Sequence, residues 1–346
     1  MVASALPLTA ALLERQSQEG FNAVLLNDVT GWDRATQQWS RQTAESIVTQ
    51  LGLARAHDFS VFVCVAAILP PPPGDPRRIR AARGVPIADA PDSTVHFGLQ
   101  SENAHDPSSW SLVDPATVQT RLKLWTGASG GELIGVFFSP DDSFLLRIPS
   151  ATQRLWFALS REVDPSLPVL GIVGELGLSG TSAEMQPYWD ASAFDAVIWL
   201  NYPYNLGRFW RRSLNHQRSS DPDGDLVRYE RDYARAMQSR YFRDLSRRQW
   251  IIPVIQTFHY RGDSPGAVPR VRDIELQAQL MRRAVQSTLG QPGNLILGYF
   301  FTGSAETDAE VLGMYDFPEW SAAAATENHR LEYLEVAERR IKPASN

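Results

Sequence analysis

Short apolar runs alternate along this chain with longer amphipathic stretches, the pattern of buried parallel strands separated by helices. The clearest runs are Phe21–Asp28, Phe59–Ala66, Leu133–Phe138, Pro168–Val173, Phe194–Leu200, Trp250–Ile255 and Leu295–Phe301. Helices are predicted near Gln37–Leu51, Pro115–Trp125, Ala151–Glu162, Asp225–Ser246 and Asp273–Thr288, with a short one before Phe194 and a closing one over Thr326–Ile341. Ahead of the first run, Pro7, Leu8, Leu12, the polar Glu14-Arg15-Gln16 and Gly20 read as an amphipathic helix feeding a strand.

An alternation that opens on a helix predicts an α/β architecture, a (β/α)8 TIM barrel whose first strand is weak (Met1–Ala5) or missing. The alternative is a doubly wound open sheet, although no strand is followed by the glycine-rich phosphate turn that marks many of those. The chain reads as a single domain over 1–346 with long βα-loop insertions. Leu69–Asp114, opening on Pro70–Gly74, is too long for a routine loop and is expected over the top face as one wall of a cleft. Arg208–Gly224 is a second such loop.

Composition narrows the function. With 43% hydrophobic and 21% charged residues, the 346-residue chain has the make-up of an ordinary globular protein. Its 33 Lys+Arg against 39 Asp+Glu leave a net charge of −6, and no basic run exceeds a pair, so no nucleic-acid partner is expected. The single cysteine, Cys64, cannot form an intrachain disulfide or a thiolate cluster. Six histidines include no H-x-H or H-E-x-x-H pair, and no phosphate-cradling loop is present, so neither a metal nor a cofactor is expected. No apolar run has membrane-span length. Val2–Leu13 has no preceding Lys or Arg, so no signal peptide is expected; the compartment is left open, and is extracytoplasmic if an upstream segment is missing.

Reacting groups of a barrel sit where its strands end and the βα loops converge. Two consecutive runs there lead into carboxylates, Asp141-Asp142 and Glu175. A carboxylate pair on adjacent staves is what glycosidic cleavage needs, one group protonating the leaving oxygen and the other attacking or stabilising the oxocarbenium-like centre. Alternation from Phe137 through Ser139 favours Asp141 over Asp142 for the cleft face, and the same Asp-Asp-Ser after a proline also suits a helix N-cap. Glu175, among Gly174, Leu176 and Gly177, is expected to stay protonated as the acid, and Asp141, beside Ser143, to stay ionised. Aromatic rings crowd the same strand ends. Trp32, Tyr202, Tyr204, Tyr260 and Tyr299 are candidate platforms for sugar faces, with Asp28, Gln256 and His259 as polar contacts.

Four segments, Glu19–Asp28, Ile134–Asp142, Ile252–Phe258 and Ile296–Thr302, resemble strands of bacterial TIM-barrel glycoside hydrolases, the likeness covering residues 8–320. In such families the strand with the Gly-aromatic-aromatic pattern often ends in a catalytic acid, a role the resemblance gives to Asp141. The chain departs from the largest retaining clan, since the strand before Gln256 ends without a carboxylate. An Asp on one strand and a Glu on the next is closer to the alpha-amylase superfamily. The sequence therefore predicts cleavage of a polysaccharide, with Glu175 as acid/base and Asp141 as nucleophile or charge stabiliser. The rival reading is a catalytically silent carbohydrate-binding barrel or a structural module of a larger assembly, its seam completed by another segment or chain.

Overall fold

The computed structural model describes residues 2–4, 8–33, 36, 38–69, 111–139, 148–173, 186–200, 242, 245, 249–255, 257–260, 269–289, 298–301, 311–314 and 316–328. Among these, eight parallel strands close into a barrel: β1 (Val2–Ser4), β2 (Ala23–Asn27), β3 (Ser60–Cys64), β4 (Leu133–Phe137), β5 (Val169–Val173), β6 (Ala196–Leu200), β7 (Trp250–Ile255) and β8 (Gly298–Phe301). Each stave pairs with the next in sequence, and β8 returns to β1. The first strand is therefore present. Its three residues pair with β8 on one side, Val2 opposite Tyr299, and with β2 on the other, Val2 opposite Val24. The ring excludes the open doubly wound sheet, which has two free edges.

Helices α1 (Ala10–Gln18), α2 (Ala44–Ala56), α3 (Pro115–Ala128), α4 (Ser150–Val163), α5 (Val271–Leu289) and α6 (318–328) accompany the staves. Their starts follow capping chemistry. Thr9, Thr43 and Asp114 accept backbone N–H groups of the first turns of α1, α2 and α3, and Pro115 opens α3 where its missing N–H costs nothing. Gly20, at φ 75°, ends the turn after α1. Gln16, read as part of a polar face, is fully buried.

The helix expected over Gln37–Leu51 starts only at Ala44. Gln38–Arg41 is instead a strand, paired antiparallel with Val29–Asp33 in a hairpin above β2. Thr43 is the stop signal that separates the two states, because its side chain caps Ser46 while its own backbone stays extended. Two further two-stranded sheets lie beyond stave ends. Ile68–Leu69 pairs with Ser111–Leu112, joining the two ends of the long insertion, and His259–Tyr260 pairs with Val311–Leu312. The last helix is entered at 318 rather than 326; residues past 328, the long helix expected over 225–246 apart from Phe242 and Leu245, and the 208–224 loop fall outside the described residues.

Period-two alternation sorts the staves into two cores. Leu25, Phe62, Cys64, Phe137, Leu170, Ile172, Ile198, Ile252 and Val254 fill the barrel interior. Their neighbours Val24, Leu26, Val61, Val63, Val136, Val169, Val173, Trp199 and Ile255 face the helices. Two glycines permit this packing. A Cβ on Gly135 would stand 2.6 Å from Leu170 Cδ1 inside the barrel, and one on Gly171 would stand 2.9 Å from the Phe194 ring outside it. The helix layer is anchored by large rings: Trp156 stacks on Phe138 at 5.5 Å, and the buried Trp125 donates its indole N–H to Ala44 O at 3.1 Å.

Candidate active site

The staves' C-terminal ends define a mouth, and alternation decides which residues look into it. On β4, Phe137 lies inside the barrel and Phe138 outside against Trp156. Ser139, just past the end of the stave, is buried. On β5, Leu170 and Ile172 are the inward residues and Val173 faces the helices. On β7, Ile252 and Val254 face inward and Ile255 outward. Asp141, Asp142, Glu175, Tyr202, Tyr204 and Gln256 themselves lie outside the described residues.

Asp28, expected to touch substrate, sits in the opposite phase. Ala23 and Leu25 point into the barrel, so Asn27 faces inward and Asp28 joins Val24 and Leu26 on the outer side. There it is fully buried, one carboxylate oxygen receiving Arg41 from the hairpin and the other Arg121 from α3. Burial pushes its carboxyl above the usual carboxylate range, against the pull of both guanidiniums, and burial likewise lowers Arg121. Arg41 also donates to Val65 O at 3.1 Å and Ala66 O at 2.8 Å, and Arg121 donates to Gln42 O at 2.6 Å. Gln42 in turn donates to Asn27 O at 2.8 Å. The cluster rivets the hairpin, the end of β3 and α3 to the rim of β2.

The remaining candidates are placed by their backbones. Trp32 pairs across the hairpin with Trp39 above the end of β2. His259 and Tyr260 lie on the small sheet that ties the segment after β7 to the segment after β8. Tyr299 is in register with Ile255 of β7 and with Val2 of β1.

Reasoning on the sequence placed Asn27 beside Asp28 at a strand end without giving it a role, and missed the two arginines. The signal for Asn27 was available in the alternation Ala23, Leu25, Asn27. No local signal marks the arginines, because they lie 13 and 93 residues from Asp28. Cys64 is inert as a nucleophile: it is buried inside the barrel, which pushes its thiol up to about 12. Among the described residues no group of three His, Cys, Asp or Glu side chains could hold a metal ion, and no helix is long and apolar enough to cross a membrane.

The same architecture occurs in solved enzymes. A glycoside hydrolase family 5 mannosidase from Rhizomucor miehei superposes with a TM-score of 0.58 at 9% identity, covering 95% of this chain and 88% of that one. The fold is an α/β TIM barrel. An endo-1,4-beta-mannanase from the same organism gives a TM-score of 0.51 at 9% identity, with 94% and 90% coverage. A beta-galactosidase from the Antarctic haloarchaeon Halorubrum lacusprofundi gives 0.58 at 11% identity, over 96% of this chain and 57% of that one. The structural likeness is thus not confined to bacterial proteins. No protein-family model and no curated protein matches the chain.

Proposed function

We propose that this protein is a glycoside hydrolase acting on a polysaccharide, with Asp141 and Glu175 dividing the acid and base roles at the barrel mouth. The observation that supports the reading is the pairing of β4 with β5. Phe137, the last residue of β4, faces the barrel interior, and the segments that lead in sequence to Asp141 and Glu175 leave these two adjacent staves. Neighbouring staves are under about 5 Å apart, so two carboxylates leaving their ends can flank one glycosidic oxygen. With apolar neighbours in sequence Glu175 holds its proton and acts as the acid, while Asp141 remains ionised and meets the developing positive charge. Asp142 supports the charge of that pair from the adjacent position, and Tyr202, Tyr204, Tyr260, Gln256 and His259 contact sugar from the loops after β6 and β7.

The structural neighbours are a mannosidase, a mannanase and a galactosidase, so reducing-end release is best sought first on β-mannans and β-galactosides. Activity there should fall by orders of magnitude in both Asp141→Asn and Glu175→Gln while oligosaccharide affinity stays within a few-fold, since transition-state rather than ground-state interactions are lost. Full activity in either variant removes that residue from the mechanism. Oligosaccharide binding by a parent that hydrolyses no glycan assigns the barrel to carbohydrate binding alone.

A further inference from the structure

The inner rim of β2 carries a polar group that the two-carboxylate reading does not use. Asn27 stands above Ala23 and Leu25 on the inward face, in register with Cys64 of β3. Those three neighbours are buried, whereas Asn27 is half-buried, and its carboxamide has no hydrogen-bond partner among the described residues. Its backbone is held from every side. Gln42 Nε2 donates to Asn27 O, the next residue's N–H donates to Cys64 O at 2.9 Å, and that residue's carboxylate is locked between Arg41 and Arg121.

The adjoining stave end carries a small inward residue. Ala66, also inward and buried, is held at φ 44°, a left-handed conformation that costs a non-glycine residue roughly 1 kcal/mol or more. Arg41 fixes it there by taking the carbonyls of Val65 and Ala66. The side chain it presents to the interior is a single methyl group.

We infer that Asn27, beside the small side chain of Ala66, forms a hydroxyl-recognising subsite for a neutral sugar at the barrel mouth. A rigid carboxamide offers two donors and an acceptor, which matches vicinal hydroxyls. The nearby guanidiniums are spent on protein acceptors on the far side of the wall, so the notch recognises hydroxyls and not an anion. Truncation of the side chain leaves a sugar hydroxyl unpaired and weakens binding.

This inference rests on the carbohydrate reading, and calorimetric titration with mannohexaose and galactotetraose separates the two. The parent should bind at least one of them, and Asn27→Ala and the similarly sized Asn27→Leu should weaken that binding about tenfold with unchanged thermal midpoints. Asn27→Asp, which keeps the shape and the acceptors, should lose less than the leucine variant. Parent-like affinity in Asn27→Leu overturns the subsite and leaves the carbohydrate reading standing. A parent that binds neither sugar overturns both.

Discussion

Asp28 illustrates why a carboxylate at a stave end need not be a substrate ligand. One step of alternation turns it away from the mouth, and two guanidiniums occupy it. Because burial outweighs their attraction, the cluster is a fixing device more than a source of net stability; removal of one member still leaves uncompensated charge. Asp28→Ala should therefore lower unfolding free energy by about 3 kcal/mol in urea titrations, the low end for a buried pair because Arg41 keeps partial contact with solvent. Arg41→Ala should cost less, since Arg121 still neutralises Asp28. Acid titration should show carboxylates acting in opposite senses. Asp28 is raised in the folded protein, so its contribution to stability is full below the ordinary value of 3.8 and is lost as pH rises through its folded value. Asp164 is lowered, chiefly by the Ser166 hydroxyl and N–H that donate to it, so its contribution is present above 3.8 and is lost as pH falls through its folded value. In urea midpoints measured on acidification, Asp164→Asn should show a smaller decline than the parent. An unchanged decline would mean that the Ser166 contacts do not persist in solution.

At the scale of elements, every apolar run proved to be a stave because buried parallel strands write themselves as uninterrupted β-branched and aromatic residues. The hairpin Val29–Asp33 with Gln38–Arg41 was illegible for the complementary reason. Its pairing partner and its anchor, Asp28, are tertiary, and Gln38-Trp39-Ser40-Arg41 carries no run of apolar residues. The outward phase of Asp28 shows only once Ala23 and Leu25 are placed inside the barrel, and its two arginines are too distant in sequence to be read locally. Packing inside the barrel is also tighter than any propensity reveals. Gly135→Ala would push a methyl group into Leu170 and the Phe62 ring within a closed ring of staves, and should cost about 1–3 kcal/mol by chemical denaturation. A neutral result would show that β4 and β5 can spread.

The whole molecule depends on β1, its shortest stave. Three residues join β8 to β2, and without them the ring would have two facing edges. Ala3→Pro removes the ladder donor at the centre of that stave, and should lower the unfolding midpoint and speed amide exchange at both Val24–Leu25 and Tyr299–Phe301. Parent-like exchange at both sites would show that the seam is held by the helices instead.

The same seam sets a schedule for synthesis. Ser4 leaves the ribosome almost three hundred residues before its partner Phe301, an interval of roughly 15–60 s at about 5–20 residues per second. Throughout that time β2 and its successors can pair with one another, but the opening stave has only one neighbour and the last edge of the growing sheet keeps moving. The nascent protein consequently keeps an open sheet edge until β8 emerges, and stays exposed to edge pairing for most of its translation.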